Sequence, residues 1–176
     1  MNDVPTADRV AEHPALQQTL ARYCRAVDRM DLGLLRSCFE PGARLDFSGL
    51  FAGDIDGFTE WLGTNLRNYS FTVHTLSNTY LEVDGDQAAG ECYVTALHGP
   101  ALDGARGAFR SGGRYLDRFE RRGDRWVITE RTALVVWSEP APDVNQPTAG
   151  GKYGATRSRR DHTDPSYALF APQEVR

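Results

Sequence analysis

Among the side chains that can move protons or hold an anion, five stand out by their placement: Tyr23, Asp28, His74, His98 and Arg131. Imidazole titrates near neutral pH, which makes His74 the natural general base or acid. It sits mid-strand in alternation with Thr72 and Leu76, so it reads equally as a satisfied core histidine. Tyr23 and Asp28 are five positions apart on one helical stretch, about 140° around the axis. Helical geometry alone does not make them neighbours. They converge only if the helix end abuts a cavity into which the tyrosine reaches; otherwise they are a core-edge tyrosine and a solvated aspartate. Arg131 alternates with Val127, Ala133, Val135 and Trp137, and a guanidinium on such a face is costly unless it meets an anion. The anion is either a structural partner such as Asp28 or Asp46, or a substrate group that the arginine anchors. His98 ends the return strand beside Gly99-Pro100, a position that is commonly just exposed. His13 and His162 lie in terminal segments and receive no role.

The rest of the sequence removes most other chemistries. A net charge of −4 gives no basic field for nucleic acid or an anionic membrane. No apolar run is long enough to span a bilayer, and the polar start MNDVPTADRVAEH is not a secretion signal, so the expected location is the cytoplasm. Cys24, Cys38 and Cys92 are odd in number and widely spaced, which fits buried thiols rather than disulfides or zinc. No metal site is expected. Arg122-Gly123-Asp124 reads as a turn. The tail arginines 157, 159 and 160 sit among aspartates and suit a solvated or subunit-contacting surface. The Gly-Gly pairs lack the context of a phosphate loop, and nucleophile-elbow and metalloprotease motifs are missing. Proton transfer without a cofactor is what remains.

The elements that must position these groups follow from periodicity. Leu16, Leu20, Tyr23, Cys24 and Val27 recur at helical spacing. Asp31 reads as the N-cap of a short helix from Leu32 to Phe39, ended by Pro41-Gly42. Ala43 to Ser48 reads as a strand, and Ile55 to Asn68 as a third helix. Four β-prone runs follow: Ser70–Val83, Gln87–His98, Ala108–Glu120 and Trp126–Trp137. Asp84-Gly85-Asp86 and Arg121 to Asp124 form the hairpin turns. Helices followed by a strand meander predict an α+β domain, residues 1–138. Residues 139–176 form a C-terminal extension that packs on the domain or a neighbouring subunit, with Asp164-Pro165 opening a helical turn. Both faces of Trp126–Trp137 are apolar, so the sheet curls around its own interior, packs on a second subunit, or does both. A dimer or trimer is therefore expected.

Several local stretches, in order, resemble the SnoaL-like family of the nuclear-transport-factor-2-like superfamily. They are Arg22 to Asp31, Cys38-Phe39-Glu40-Pro41-Gly42-Ala43, His74-Thr75-Leu76-Ser77-Asn78 and Gly85-Asp86-Gln87-Ala88. The tail residues Arg159-Arg160-Asp161 and Asp164-Pro165-Ser166-Tyr167 resemble an extension found in one branch. The resemblance implies a cone: a strongly curved, mainly antiparallel sheet with three N-terminal helices closing one side. It is nearest to the branch of bile-acid 7α-dehydratase and scytalone dehydratase. By that likeness Tyr23, Asp28 and His74 are the catalytic set, and Arg131, His98 and Tyr93 bind substrate. The implied function is a cofactor-independent lyase, of dehydratase or isomerase type, on a hydrophobic cyclic or aromatic small molecule. Rival readings are an aromatic-dimer lyase that releases formaldehyde, a polyketide cyclase, and a non-catalytic binding or assembly domain with a closed cone.

Overall fold

A computed structural model describes residues 6–142, 144 and 158–170. Eleven elements follow in chain order: α1 (Ala7–Ala11), α2 (His13–Arg29), α3 (Leu32–Ser37), β1 (Phe39–Asp46), β2 (Ala52–Asp54), α4 (Ile55–Asn65), β3 (Thr72–Asp84), β4 (Gln87–His98), β5 (Phe109–Arg122), β6 (Arg125–Pro140) and α5 (Pro165–Phe170). The sheet has six strands in the order β2-β1-β6-β5-β4-β3. It is mixed, because β1 runs parallel to β6 while the other neighbours are antiparallel. The fold is thus α+β, with a curved, unclosed sheet and helices against its concave face.

Helix α2 buries Leu16, Leu20, Tyr23, Cys24 and Val27, the stripe that its three-and-four spacing demands. Asp31 caps α3 by accepting from the Leu34 N–H at 2.9 Å, and Asp54 caps α4 through the Gly57 N–H at 2.8 Å. Helix α3 ends at Ser37, and Pro41-Gly42 lies inside β1 rather than closing a helix. Gly42 has φ +78°, and the ladder to β6 shifts register between Phe39 and Arg44. The pair therefore marks an irregularity in an outer stretch of strand, where a proline's missing N–H is tolerated.

The β3–β4 hairpin closes on the Asp84–Gln87 pair. Its two central residues are Gly85 and Asp86, with Gly85 at φ +60°, so glycine takes the first central position, as in a type II′ turn. The β5–β6 turn is built likewise on Gly123 at φ +64° between Arg122 and Arg125. Arg122 of the Arg-Gly-Asp triplet there is paired with Glu40 and Glu120.

Strand β6 breaks strict alternation. Phe119 pairs with Ile128 and Arg118 with Glu130, leaving Thr129 as an inserted residue. The bulge puts Arg131 on the inner face with Ile128 and Ala133, instead of with Val127. A second bulge at Val136 separates the Gly113–Val135 and Gly112–Trp137 pairs. In the single chain Val135, Val136 and Trp137 stay exposed, so the far half of β6 is not covered on both faces. The loop expected from Glu139 to Gly151, and Tyr153 beyond it, lie largely outside the described residues.

Candidate active site

The concave face encloses a cavity of about 380 Å³ near the open end of the sheet. Phe47, Phe58, Trp61, Tyr69, Phe109 and Tyr115 form aromatic walls, and Phe47 stacks on Phe58 with centroids 4.6 Å apart. Tyr23, His74 and His98 all line it, while Leu50, Asn65, Arg106 and Val135 are its exposed members. A larger depression of about 970 Å³ lies at the hairpin end, among Arg9, Glu40, Glu82, Asp84, Arg118 and Arg122. Its charges neutralise one another, as in Arg9–Asp84 and Arg122–Glu40, and His13 is the histidine that lines it.

The central feature is the grip of Asp28 on His74. Strand β3 is the last strand of the sheet, so every second N–H along it lacks a ladder partner. Asp28, in the last turn of α2, fills that gap: Oδ2 accepts the His74 backbone N–H at 3.0 Å. Its Oδ1 lies 2.7 Å from His74 Nδ1. A carboxylate only accepts, so Nδ1 carries a hydrogen and Nε2 is the ring nitrogen left for the cavity. Both side chains are nearly dry, at 7% and 13% exposure, which strengthens the pair electrostatically. Tyr23 and Asp28 do point different ways from α2. His74, bonded to Asp28, shares the lining of the cavity with Tyr23.

His98 packs flat on Phe109, with ring centroids 4.4 Å apart, and edge-on to His74 at 5.8 Å. Its Nδ1 is buried without a protein partner. Burial, with the charges of His74 and Arg160, pulls its pKa down to about 3, so the ring stays neutral. Burial likewise pushes the Tyr23 hydroxyl up to about 12, opposed by the Arg131 charge. The three cysteines are free and buried. Burial raises Cys24 to about 12 and Cys38 and Cys92 to about 11, leaving them as thiols. Among the described residues no cluster has the makings of a metal site.

Two expected substrate-binding residues stand elsewhere. Tyr93 does not line the cavity and is 44% exposed, because it alternates with the buried Cys92 and Val94. Arg131 is also absent from the cavity wall. It is fully buried and makes a two-pronged ion pair with Asp117, both contacts at 2.7 Å. Its guanidinium carbon sits 4.1 Å from the Tyr23 ring centroid and 4.2 Å from that of Tyr115, a double cation–π contact. The arginine holds up two tyrosines from behind. Neither Asp28 nor Asp46 is its partner. Asp117 was legible in principle, as an acid in alternation with Tyr115 and Phe119.

A family model for the SnoaL-like domain matches residues 8–132. The chain therefore belongs to the SnoaL-like family, within the nuclear-transport-factor-2-like superfamily. Among solved structures it is similar to a type 2 hexachlorocyclohexane dehydrochlorinase. The identity is 22%, covering 77% of this chain and 93% of that one, with a TM-score of 0.68. The type 3 dehydrochlorinase from Novosphingobium barchaimii LL02 matches at 20% identity over 77% of this chain and 94% of that one, with a TM-score of 0.67. A scytalone dehydratase-like protein from Novosphingobium aromaticivorans matches at 18% identity over 77% and 91%, with a TM-score of 0.68. A search of the curated proteins finds no match. Likeness at these identities establishes the fold.

Proposed function

We propose that this protein is a cofactor-independent lyase that eliminates water or another small leaving group from a hydrophobic cyclic or aromatic molecule. The observation that carries this reading is the double grip of Asp28 on His74, which engages Nδ1 and leaves the other ring nitrogen for an aromatic cavity. Nε2 of His74 takes a proton from a substrate carbon, and Asp28 stabilises the imidazolium that forms. The C–H electron pair becomes the new double bond while the bond to the leaving group breaks. The Tyr23 hydroxyl, held protonated by burial, donates a hydrogen bond to the departing oxygen or halide. His98, neutral with a free buried nitrogen, orients the substrate. The fold is shared with a hexachlorocyclohexane dehydrochlorinase, whose name states an elimination from a cyclic compound.

A closed binding or assembly cone would bury His74 against Asp28 with no space beside it. The cavity of about 380 Å³ favours an enzyme. We further infer that the chain works as a homo-oligomer in the cytoplasm, without nucleic acid. Free thiols suit a reducing compartment, no described helix is long and apolar enough to cross a membrane, and the bare end of β6 suits a second copy.

The test is turnover of a panel of hydroxylated and halogenated cyclic compounds, read by mass spectrometry for loss of water or hydrogen halide. At least one compound should react, and His74→Ala or Asp28→Asn should lower the rate by about 10²-fold or more without unfolding the chain. A substrate that turns over equally well in both variants overturns the assignment.

A further inference from the structure

Residues 158–170 lie against the end of α2, outside the stretch that the family model matches. Asp164 organises this segment: Oδ2 accepts the Arg159 N–H at 2.8 Å, and Oδ1 accepts the Ser166 N–H and hydroxyl at 3.1 and 2.6 Å. Several contacts clip it to the domain, among them an ion pair of Arg29 with Asp164 at 3.7 Å. The Tyr167 hydroxyl donates to Asp31 Oδ2 at 2.8 Å, and Arg25 donates to the Ser166 hydroxyl at 2.9 Å.

Ahead of these clips in the chain, Arg160 turns inward. Its Nη1 donates to the carbonyls of Leu66 and Tyr69, at 2.5 and 2.8 Å. Nη2 reaches the Thr72 hydroxyl at 3.3 Å, and Nε the Asp28 carbonyl at 3.4 Å. One guanidinium thus joins the last turn of α2, the α4–β3 connection and the first residue of β3. Asp28 lies on the first of these elements, and His74 lies two residues beyond Thr72 on the last. The planar fork is what permits this, since its donors stand on three separate nitrogens, whereas an ammonium's three donors share one point. The charge has a second use. A helix C-terminus carries negative partial charge, which works against an ionised Asp28, and a cation there offsets it. Burial lowers the Arg160 pKa to about 10 against the pull of Asp28, so it remains charged at neutral pH.

We propose that Arg160 is a positioning residue for the Asp28–His74 pair: from the C-terminal segment it locks the helix that carries the carboxylate to the strand that carries the imidazole. Its part in catalysis rests on the elimination reading above, but its effect on the pair is measurable without turnover. Full-length chain labelled with ¹⁵N-histidine is compared as wild type, Arg160→Met and Arg160→Lys by NMR and hydrogen exchange. In Arg160→Met the Nδ1–H proton of His74 moves upfield, and its backbone amide, bonded to Asp28 Oδ2, exchanges at least ~10-fold faster. Amides of Phe119 and Ile128, in the far part of the sheet, keep their rates. Arg160→Lys keeps the charge but loses the fork, so its His74 amide still accelerates by ~3-fold or more. Should Arg160→Met not fold, the lysine variant alone decides. His74 signals identical to wild type overturn the proposal, and so does equal acceleration throughout the sheet. A chain that turns over none of the tested compounds still gives these signals, so the two proposals fail separately.

Discussion

His98 and the Arg131–Asp117 pair behave oppositely as buried polar groups. His98 has no protein partner for Nδ1, and its pKa falls to about 3 from 6.5. Below about pH 6.5 the unfolded chain takes up a proton there that the folded chain refuses, so stability falls as pH falls towards 3. Chemical denaturation from about pH 7.5 to about pH 5 should show a loss of at most about 2 kcal/mol from this residue. His98→Gln should lose correspondingly less over the same interval. Arg131 and Asp117, at 0% and 2% side-chain exposure, are instead ion-paired through Nε and Nη2, with only Nη1 left without a hydrogen-bond partner. Asp117→Asn leaves a charge buried under Tyr23 and Tyr115, and should cost about 3–5 kcal/mol in urea unfolding. The double variant Arg131→Met with Asp117→Leu should recover most of that loss, because no charge remains to be stranded.

At the scale of elements, local chemistry was the legible part. The α2 stripe, the Asp31 cap, the span of β4 and the Asp164-Pro165 turn follow from periodicity and capping residues. Two kinds of feature escaped. Bulges were one: Thr129 looks like any strand residue, yet its insertion moves Arg131 onto the inner face beside Asp117. The other was pairing between segments far apart in sequence, as in β1 alongside β6, and the C-terminal segment across α2. Nothing local encodes such contacts. The same limit applied to the site, where Tyr23, Asp28 and His74 stood out by type and resemblance, whereas Arg160 looked like one of several surface arginines. Asp31 shows how such contacts accumulate on one side chain, since it caps α3 and also accepts from Tyr167. Asp31→Ala should therefore cost about 1–2 kcal/mol in thermal unfolding, more than Tyr167→Phe, which removes only the second bond.

For the whole molecule the sheet's convex side is the unfinished part. There Val136 and Trp137 are 65% and 42% exposed, and the Trp137 indole covers the position where a side chain at Gly112 would stand. Sedimentation should find dimers or trimers, and Val136→Glu should shift the population towards monomer while the far-UV circular dichroism is unchanged. The other side of the sheet has a different future. Beneath the cavity, Arg131 is held between two tyrosine rings and paired with Asp117, so no single substitution in that pair reshapes the floor without stranding a charge. Leu50 and Arg106, exposed at the cavity, carry no such penalty. Natural drift and laboratory selection alike would thus diversify what the cavity holds from the rim, with the Asp28–His74 pair and its foundation inherited intact.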